Sequence, residues 1–60
     1  MTSADLVRKL ISDGLSKYAI AKSIGAFPTS VDHWLAGAKM SDKYREQVNI
    51  VWGIKVDDSV

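Results

Sequence analysis

The segment GAFPTSVDHWLAG, near the middle of the chain, places hydrogen-bonding side chains between apolar ones at helical spacing. Thr29 offers a hydroxyl, Asp32 a carboxylate acceptor, and His33 an imidazole that can donate or accept. Val31 and Trp34 interleave with them, so a helix here would bury one edge and expose the other. Such a row of donors and acceptors is suited to recognising a pattern of polar groups on another molecule.

The remainder of the chain offers little chemistry for catalysis or metal binding. The sequence contains one histidine and no cysteine. Catalysis needs a nucleophile with a base, a carboxylate pair in a cleft, or a metal, and zinc sites draw mainly on cysteine and histidine. The glycines are scattered and form no phosphate-binding loop. We therefore expect a protein that is not an enzyme and that binds no metal, cofactor or small-molecule substrate.

Length and composition favour one small intracellular domain. A chain of 60 residues buries only about 60% of its unfolded surface and is therefore marginally stable. Its 47% hydrophobic and 25% charged residues are typical of globular proteins. The absence of cysteine fits a reducing compartment, and no apolar run approaches the roughly 18 residues of a membrane span. We expect a soluble, cytoplasmic protein with no membrane partner.

Apolar residues recur at helical spacing in four segments, and no segment alternates as a strand would. Serine caps or a proline should begin these helices, and glycines should end them. The expected starts are Ser3, Ser16, Pro28 and Ser41, and the expected ends are Gly14, Gly25, Gly37 and Gly53. The inner stripe expected for the fourth helix is Tyr44, Val48, Val51 and Trp52. The sequence predicts an all-α, compact bundle of four or five short helices.

The predicted domain covers residues 1–56, followed by a short tail at 57–60. Ile54 is expected to pack on the core, and the residues after it are expected to be mobile. Eight basic and five acidic residues lie at or before Val56. The domain is therefore mildly basic, which permits binding to nucleic acid without requiring it.

The second and third helices are joined by only three residues, from Gly25 to Phe27. So short a connection favours a corner of about 90–120° between two helices, as in a helix-turn-helix. Such a corner needs a small residue where the helices approach, a glycine in the turn, and two apolar anchors in the second helix. The pattern Ala-x3-Gly-x5-Val-x2-Trp is formed by Ala21, Gly25, Val31 and Trp34.

With these residues, the chain from Leu15 to about Ile54 resembles the helix-turn-helix domains of phage Cro and repressor proteins, which are lambda-repressor-like. The matching segments are LSKYAIAKSIGAFPTSVDHWLAG and SDKYREQVNIVWGI, about two-thirds of the chain. The small size is most similar to a Cro protein. The resemblance implies a sequence-specific, double-stranded DNA-binding transcriptional repressor in a bacterial host cell. The chain departs from the family at Phe27, where a serine-like cap is usual, and at Pro28 and Thr29, where glutamine-like residues are usual.

In that family the third helix enters the major groove. The candidates for base contacts here are Thr29, Asp32 and His33, with Pro28 and Phe27 beside them. Threonine suits a thymine methyl, aspartate a cytosine amino group, and histidine a guanine acceptor. Asp32 could instead pair with a lysine or histidine of the protein, and His33 could be a solvated surface residue. Phe27 either packs beneath the turn or lies exposed near a thymine methyl or a sugar.

Phosphate contacts position such a module without reading sequence. The resemblance implies that Lys17, which opens the first helix of the corner, lies against the DNA backbone. The candidates for phosphate contacts are Lys17, Ser30, Lys39 and Lys43, with Lys22 and Arg45 as further choices. The alternative for each lysine is a solvated charge with no DNA role.

Base contacts from one copy are few, so two copies on a palindromic operator are expected. The fourth helix and the residues after it carry more apolar side chains than one small core needs. The dimer residues predicted from this surplus are Trp52, Ile54 and Val56. We expect a weak homodimer, or one formed only on DNA; the alternative for Trp52 is that it closes the core.

A second class of function also fits the sequence. A helix-turn-helix-shaped domain can serve as a protein-interaction module, such as an adaptor or anti-repressor, that binds no DNA. The modest net charge and the acidic Asp32 on the reading helix favour this alternative.

Overall fold

The computed structural model describes residues 1–58, and this range contains four α helices. They are α1 (Ser3–Ser12), α2 (Lys17–Ile24), α3 (Pro28–Leu35) and α4 (Asp42–Trp52). Within residues 1–58 there is no strand, and the helices form a compact globule. The all-α prediction is confirmed, with four helices over the described range.

The core draws apolar side chains from every helix. Its buried residues are Leu6, Val7, Leu10, Ile20, Ala21, Ile24, Val31, Trp34, Met40, Val48 and Val56. The third helix packs against both α1 and α2, and α4 packs against α2. Because α3 is held from two sides, its position is set by tertiary packing while its remaining edge stays available to solvent.

The ends of α2 follow the sequence closely. The Ser16 hydroxyl accepts a hydrogen bond from the Ala19 amide at 3.0 Å, as an N-cap should. Gly25 ends the helix with φ of 72°, in the left-handed region that glycine adopts without steric cost. The Ala26 amide then donates to the Ala21 carbonyl at 2.9 Å and closes the turn. These predicted boundaries are confirmed.

Other helix ends differ from the prediction. Thr2, not Ser3, caps α1: its hydroxyl accepts from the Asp5 amide at 3.2 Å. Ser3 is buried and bonded elsewhere. Ser41 occupies the N-cap position of α4, but its side chain makes no capping hydrogen bond. The first and third helices end two residues before the expected glycines. Asp13 and Ala36 occupy their C-cap positions.

The stripe of α4 is partly as predicted. Val48 is fully buried, and Tyr44 and Trp52 are partly buried against the core. Val51 is exposed instead, so its assignment to the inner stripe is wrong. The Val51 side chain points away from the core. Trp52 is the next residue, about 100° further round the helix, and its side chain packs against the core.

The chain after Gly53 is ordered further than the sequence suggested. Ile54 packs on the core as expected, but Val56 is also buried. The Asp57 amide donates to the Met1 carbonyl at 2.7 Å. For residues 55–58, the expectation of a mobile segment after Ile54 is therefore wrong. Residues 59 and 60 of the predicted tail lie outside the described residues.

Asp58 joins three distant parts of the chain. Its Oδ1 accepts from the Ser3 amide at 2.8 Å, and its Oδ2 accepts from the Ser3 hydroxyl at 2.5 Å and the Met40 amide at 3.1 Å. Burial raises the pKa of Asp58, but these hydrogen bonds and the Arg45 charge outweigh it and leave the pKa below its ordinary value. The carboxylate also lies at the positive end of α1.

Candidate nucleic-acid interface

The third helix has one buried and one exposed edge. Val31 is fully buried and Trp34 is 4% exposed. The Trp34 ring meets Tyr44 of α4 edge-on, with ring centroids 5.6 Å apart. The exposed edge carries Thr29, Asp32 and His33. The sequence-based division of this helix into an anchoring edge and a polar edge is confirmed.

An aromatic side chain stands at the start of that exposed edge. Phe27 is 71% exposed, so the interpretation that it packs beneath the turn is wrong, and its contact with DNA stays a prediction. It occupies the N-cap position of α3 but offers no side-chain acceptor. Pro28 follows as the first helical residue and is also exposed, whereas Ser30 is half-buried. The exposed Phe27 ring therefore lies next to the polar side chains of the first two turns of α3.

The four residues of the turn pattern between α2 and α3 have the burial and backbone conformation that the pattern requires. Ala21 is buried on α2, so its small side chain permits close approach of α3. Gly25 has the positive φ already described, and the two apolar anchors of α3 lie in the core. The connection between the helices is three residues long. Close packing of α2 on α3 follows from these features.

A salt bridge links the start of α2 to the exposed edge of α3. The Lys17 Nζ lies 2.7 Å from the Asp32 Oδ1, and the two side chains are 50% and 55% exposed. The structure thus contains the intramolecular partner that the sequence left open for Asp32. An ion pair this exposed contributes only about 0–1 kcal/mol to stability. It joins a residue predicted to contact phosphate with one predicted to contact a base.

The other predicted phosphate contacts lie on separate elements. Lys39 is exposed in the loop after α3, and Lys43 is exposed in the first turn of α4. The Lys43 Nζ lies 5.8 Å from the centroid of the Tyr44 ring. Arg45, one of the two further choices, pairs with Asp42 on its own helix.

Sequence reasoning missed Tyr18 as a surface residue. Its ring is 62% exposed on α2, with the Lys22 Nζ 5.7 Å from the ring centroid. A signal was present in the sequence: Tyr18 falls outside the apolar stripe of α2 and stands between Lys17 and Lys22. Aromatic rings beside basic side chains are a feature of surfaces that bind single-stranded nucleic acids.

The predicted dimer residues do not all reach the surface. Val56 is only 8% exposed and belongs to the core, so it cannot contribute a dimer contact. The chain turns back after α4 and carries this side chain inward. Trp52 and Ile54 are partly buried against the core. The apolar surface of α4 is instead formed by Ile50, which is 68% exposed, and Val51.

The described part of the chain contains neither a metal-binding cluster nor a membrane-spanning helix. Among residues 1–58, no group of three or more histidine, aspartate or glutamate side chains is placed to hold a metal ion. No helix in that range has both the length and the apolar character needed to cross a bilayer.

The fold and the exposed edge together define a small all-α protein with one helix held by its neighbours and open on its polar side. Comparison of the chain with protein-family models, with curated proteins and with solved structures found no significant match. Its function must therefore be inferred from the exposure, charge and hydrogen-bonding chemistry of its own residues.

Proposed function

We propose that the protein is a sequence-specific double-stranded DNA-binding regulator, a Cro-like repressor. In this proposal α2 and α3 form a helix-turn-helix, and α3 lies in the major groove of a palindromic operator. One observation carries the proposal: α3 is anchored by Val31 and Trp34, while Thr29, Asp32 and His33 project from its other edge. A fixed helix with an exposed polar edge is the form that major-groove recognition requires.

The exposed side chains supply matched base chemistry. Thr29 can contact a thymine methyl or exchange hydrogen bonds, Asp32 can accept from a cytosine amino group, and His33 can donate to guanine. Phe27, exposed beside the first turn of α3, can contact a thymine methyl or a sugar, with Pro28 next to it.

The charge distribution along the chain also supports the proposal. Between Gly14 and Ser41 the chain has three lysines and a single acidic residue, Asp32, which is paired with Lys17. The other acidic residues belong to α1, α4 and the C-terminal segment. We propose phosphate contacts from Lys17, Lys22, Ser30, Lys39 and Lys43. Tyr18 beside Lys22 adds an aromatic surface next to these charges.

Binding to random-sequence duplex at low salt tests the proposal. With about four phosphates neutralised, the log–log salt slope of affinity should be near −3.6. Lys22→Gln should weaken binding to all sequences and reduce the slope by about 1. The matched control is Lys9→Gln, because Lys9 lies on α1 and pairs with Asp13; it should leave the slope unchanged. Fluorescence anisotropy with a labelled duplex measures both quantities.

A homodimer, formed weakly in solution or only on DNA, is part of the proposal. The self-association patch consists of Ile50 and Val51 on α4, with the partly exposed Trp52 and Ile54 beside them. Ile50→Lys should weaken binding to a palindrome several-fold more than binding to one half-site, because it places a charge in the patch. Ile11→Lys, on α1, is the control. Equal losses for both variants on both duplexes would exclude this patch.

A protein-interaction module is the alternative function. The modest net charge and the acidic Asp32 on α3 favour it, and the exposed Phe27 fits a protein ligand as well as a duplex. A DNA-binding protein of the proposed type must bind random duplex at low salt through its phosphate contacts. Complete absence of such binding by the folded protein would reject DNA regulation and leave the interaction module.

A further inference from the structure

We propose that Lys17 and Asp32 act as one unit in base selection. Asp32 is the specificity-determining residue, and Lys17 is a positioning residue that holds and neutralises its carboxylate. The selected group is an exposed base amino donor in the major groove, that of cytosine. This inference rests on the proposed DNA-binding function.

The geometry of the pair leaves Asp32 able to accept a further hydrogen bond. Lys17 engages Oδ1 at 2.7 Å, and a carboxylate has about four lone-pair sites across its two oxygens. The second oxygen can therefore accept from a base while the first stays with Lys17. Both side chains are about half exposed, so a base can reach the carboxylate without breaking the pair.

The pair also connects two elements that must be aligned. Lys17 is the first residue of α2, whose start is fixed by the Ser16 cap, and Asp32 lies one turn into α3. In this pairing the Asp32 carboxylate turns its Oδ1 toward α2. The pair therefore favours the orientation in which Oδ2 is left for a ligand at the exposed edge of α3.

Charge explains why the partner matters. A lone carboxylate facing a duplex is repelled by the phosphates, whatever the sequence. Once Lys17 offsets this charge, the remaining effect of Asp32 depends on the base that it meets. A base amino group donates a hydrogen bond to the carboxylate. A base acceptor at that position repels the carboxylate and also displaces the water that solvated it, so the carboxylate is left without a donor. Asp32 then selects mainly by penalising wrong sequences.

Three variants test the unit on the full chain, with a duplex selected from a random pool and a random duplex as probes. Asp32→Asn should raise random-duplex affinity several-fold and lower the selected-to-random ratio about tenfold or more. It should relax the preference for cytosine at one position of each half-site.

Lys17→Met should also lower the selected-to-random ratio although Asp32 is present, and Lys17→Arg should restore it. The matched controls are Asp13→Asn and Lys9→Met, which make the same changes in an exposed pair on α1. These controls should leave the ratio unchanged. Circular dichroism should give the same melting temperature for the Asp32 variant as for the unmodified chain.

The outcomes separate this inference from the function on which it rests. Binding of the unmodified chain with a ratio that Asp32→Asn does not change would overturn the paired unit and leave DNA binding in place. Equal changes for Asp32→Asn and Asp13→Asn would overturn it as well. Failure of both the unmodified chain and Asp32→Asn to bind random duplex at low salt would overturn the proposed function itself.

Discussion

Replacing Trp34 by alanine is expected to lower the free energy of unfolding by about 3–5 kcal/mol. The ring is 4% exposed and packs edge-on against Tyr44, so its removal loses buried area and leaves a cavity between α3 and α4. A 60-residue chain has a total stability of only about 3–9 kcal/mol. The substitution should therefore remove most of the stability of the fold.

Urea unfolding followed by circular dichroism measures the effect of Trp34→Ala. The matched control is Phe27→Ala, which removes an aromatic ring from the N-cap position of the same helix, where it is 71% exposed. This control should change stability by no more than about 0.5 kcal/mol and should weaken duplex binding. A loss below about 1 kcal/mol for Trp34→Ala would show that the ring is not the anchor of α3.

Replacing Asp58 by asparagine is expected to cost about 2 kcal/mol at neutral pH. The carboxylate accepts hydrogen bonds from the Ser3 amide and hydroxyl and from the Met40 amide. An asparagine amide would turn a donor toward two of these donors. The C-terminal segment would lose its hydrogen bonds to the N-terminus of α1 and to the loop before α4. The ends of the chain should therefore fray first.

The contribution of Asp58 should also depend on pH. Its pKa in the folded chain is lowered, so the folded state favours the ionised form more than the unfolded state does. The stabilisation is therefore complete above the ordinary aspartate pKa of about 3.9 and is lost as the pH falls through the lowered value. The stability difference between the unmodified chain and Asp58→Asn should shrink over this range.

Urea midpoints measured from neutral pH down to about pH 2, which brackets an aspartate titration, test both claims for Asp58. Asp13→Asn is the control, because it changes an exposed carboxylate paired with Lys9 at a helix end. It should cost less than about 0.5 kcal/mol. If Asp58→Asn unfolds at the same urea concentration as the unmodified chain at neutral pH, the carboxylate does not hold the termini together.

Short-range features of the chain could be predicted from sequence alone. The cap at Ser16, the glycine end of α2 and the proline start of α3 each depend on residues within one turn of one another. The buried edge of α3 followed from the spacing of Val31 and Trp34. These predictions succeeded because backbone geometry and helical period do not require knowledge of distant contacts.

The polar edge of the candidate site was predicted from the same spacing, but the pairing and exposure of its side chains were not. Asp32 could be assigned to the surface, whereas its pairing with Lys17 depends on how α2 and α3 pack. The exposure of Phe27 was left open for the same reason. A turn residue becomes buried or exposed according to which element covers it.

Tertiary structure alone decided how the chain closes on itself. Asp58 meets Ser3 across 55 positions of sequence, and Val56 enters the core although it follows the last helix. Nothing in the local pattern near either residue specifies a partner so far away. The sequence by itself determined the helices and which edge of α3 faces outward. Long-range packing decided which charges pair, which apolar side chains remain for a partner, and what holds the two ends together.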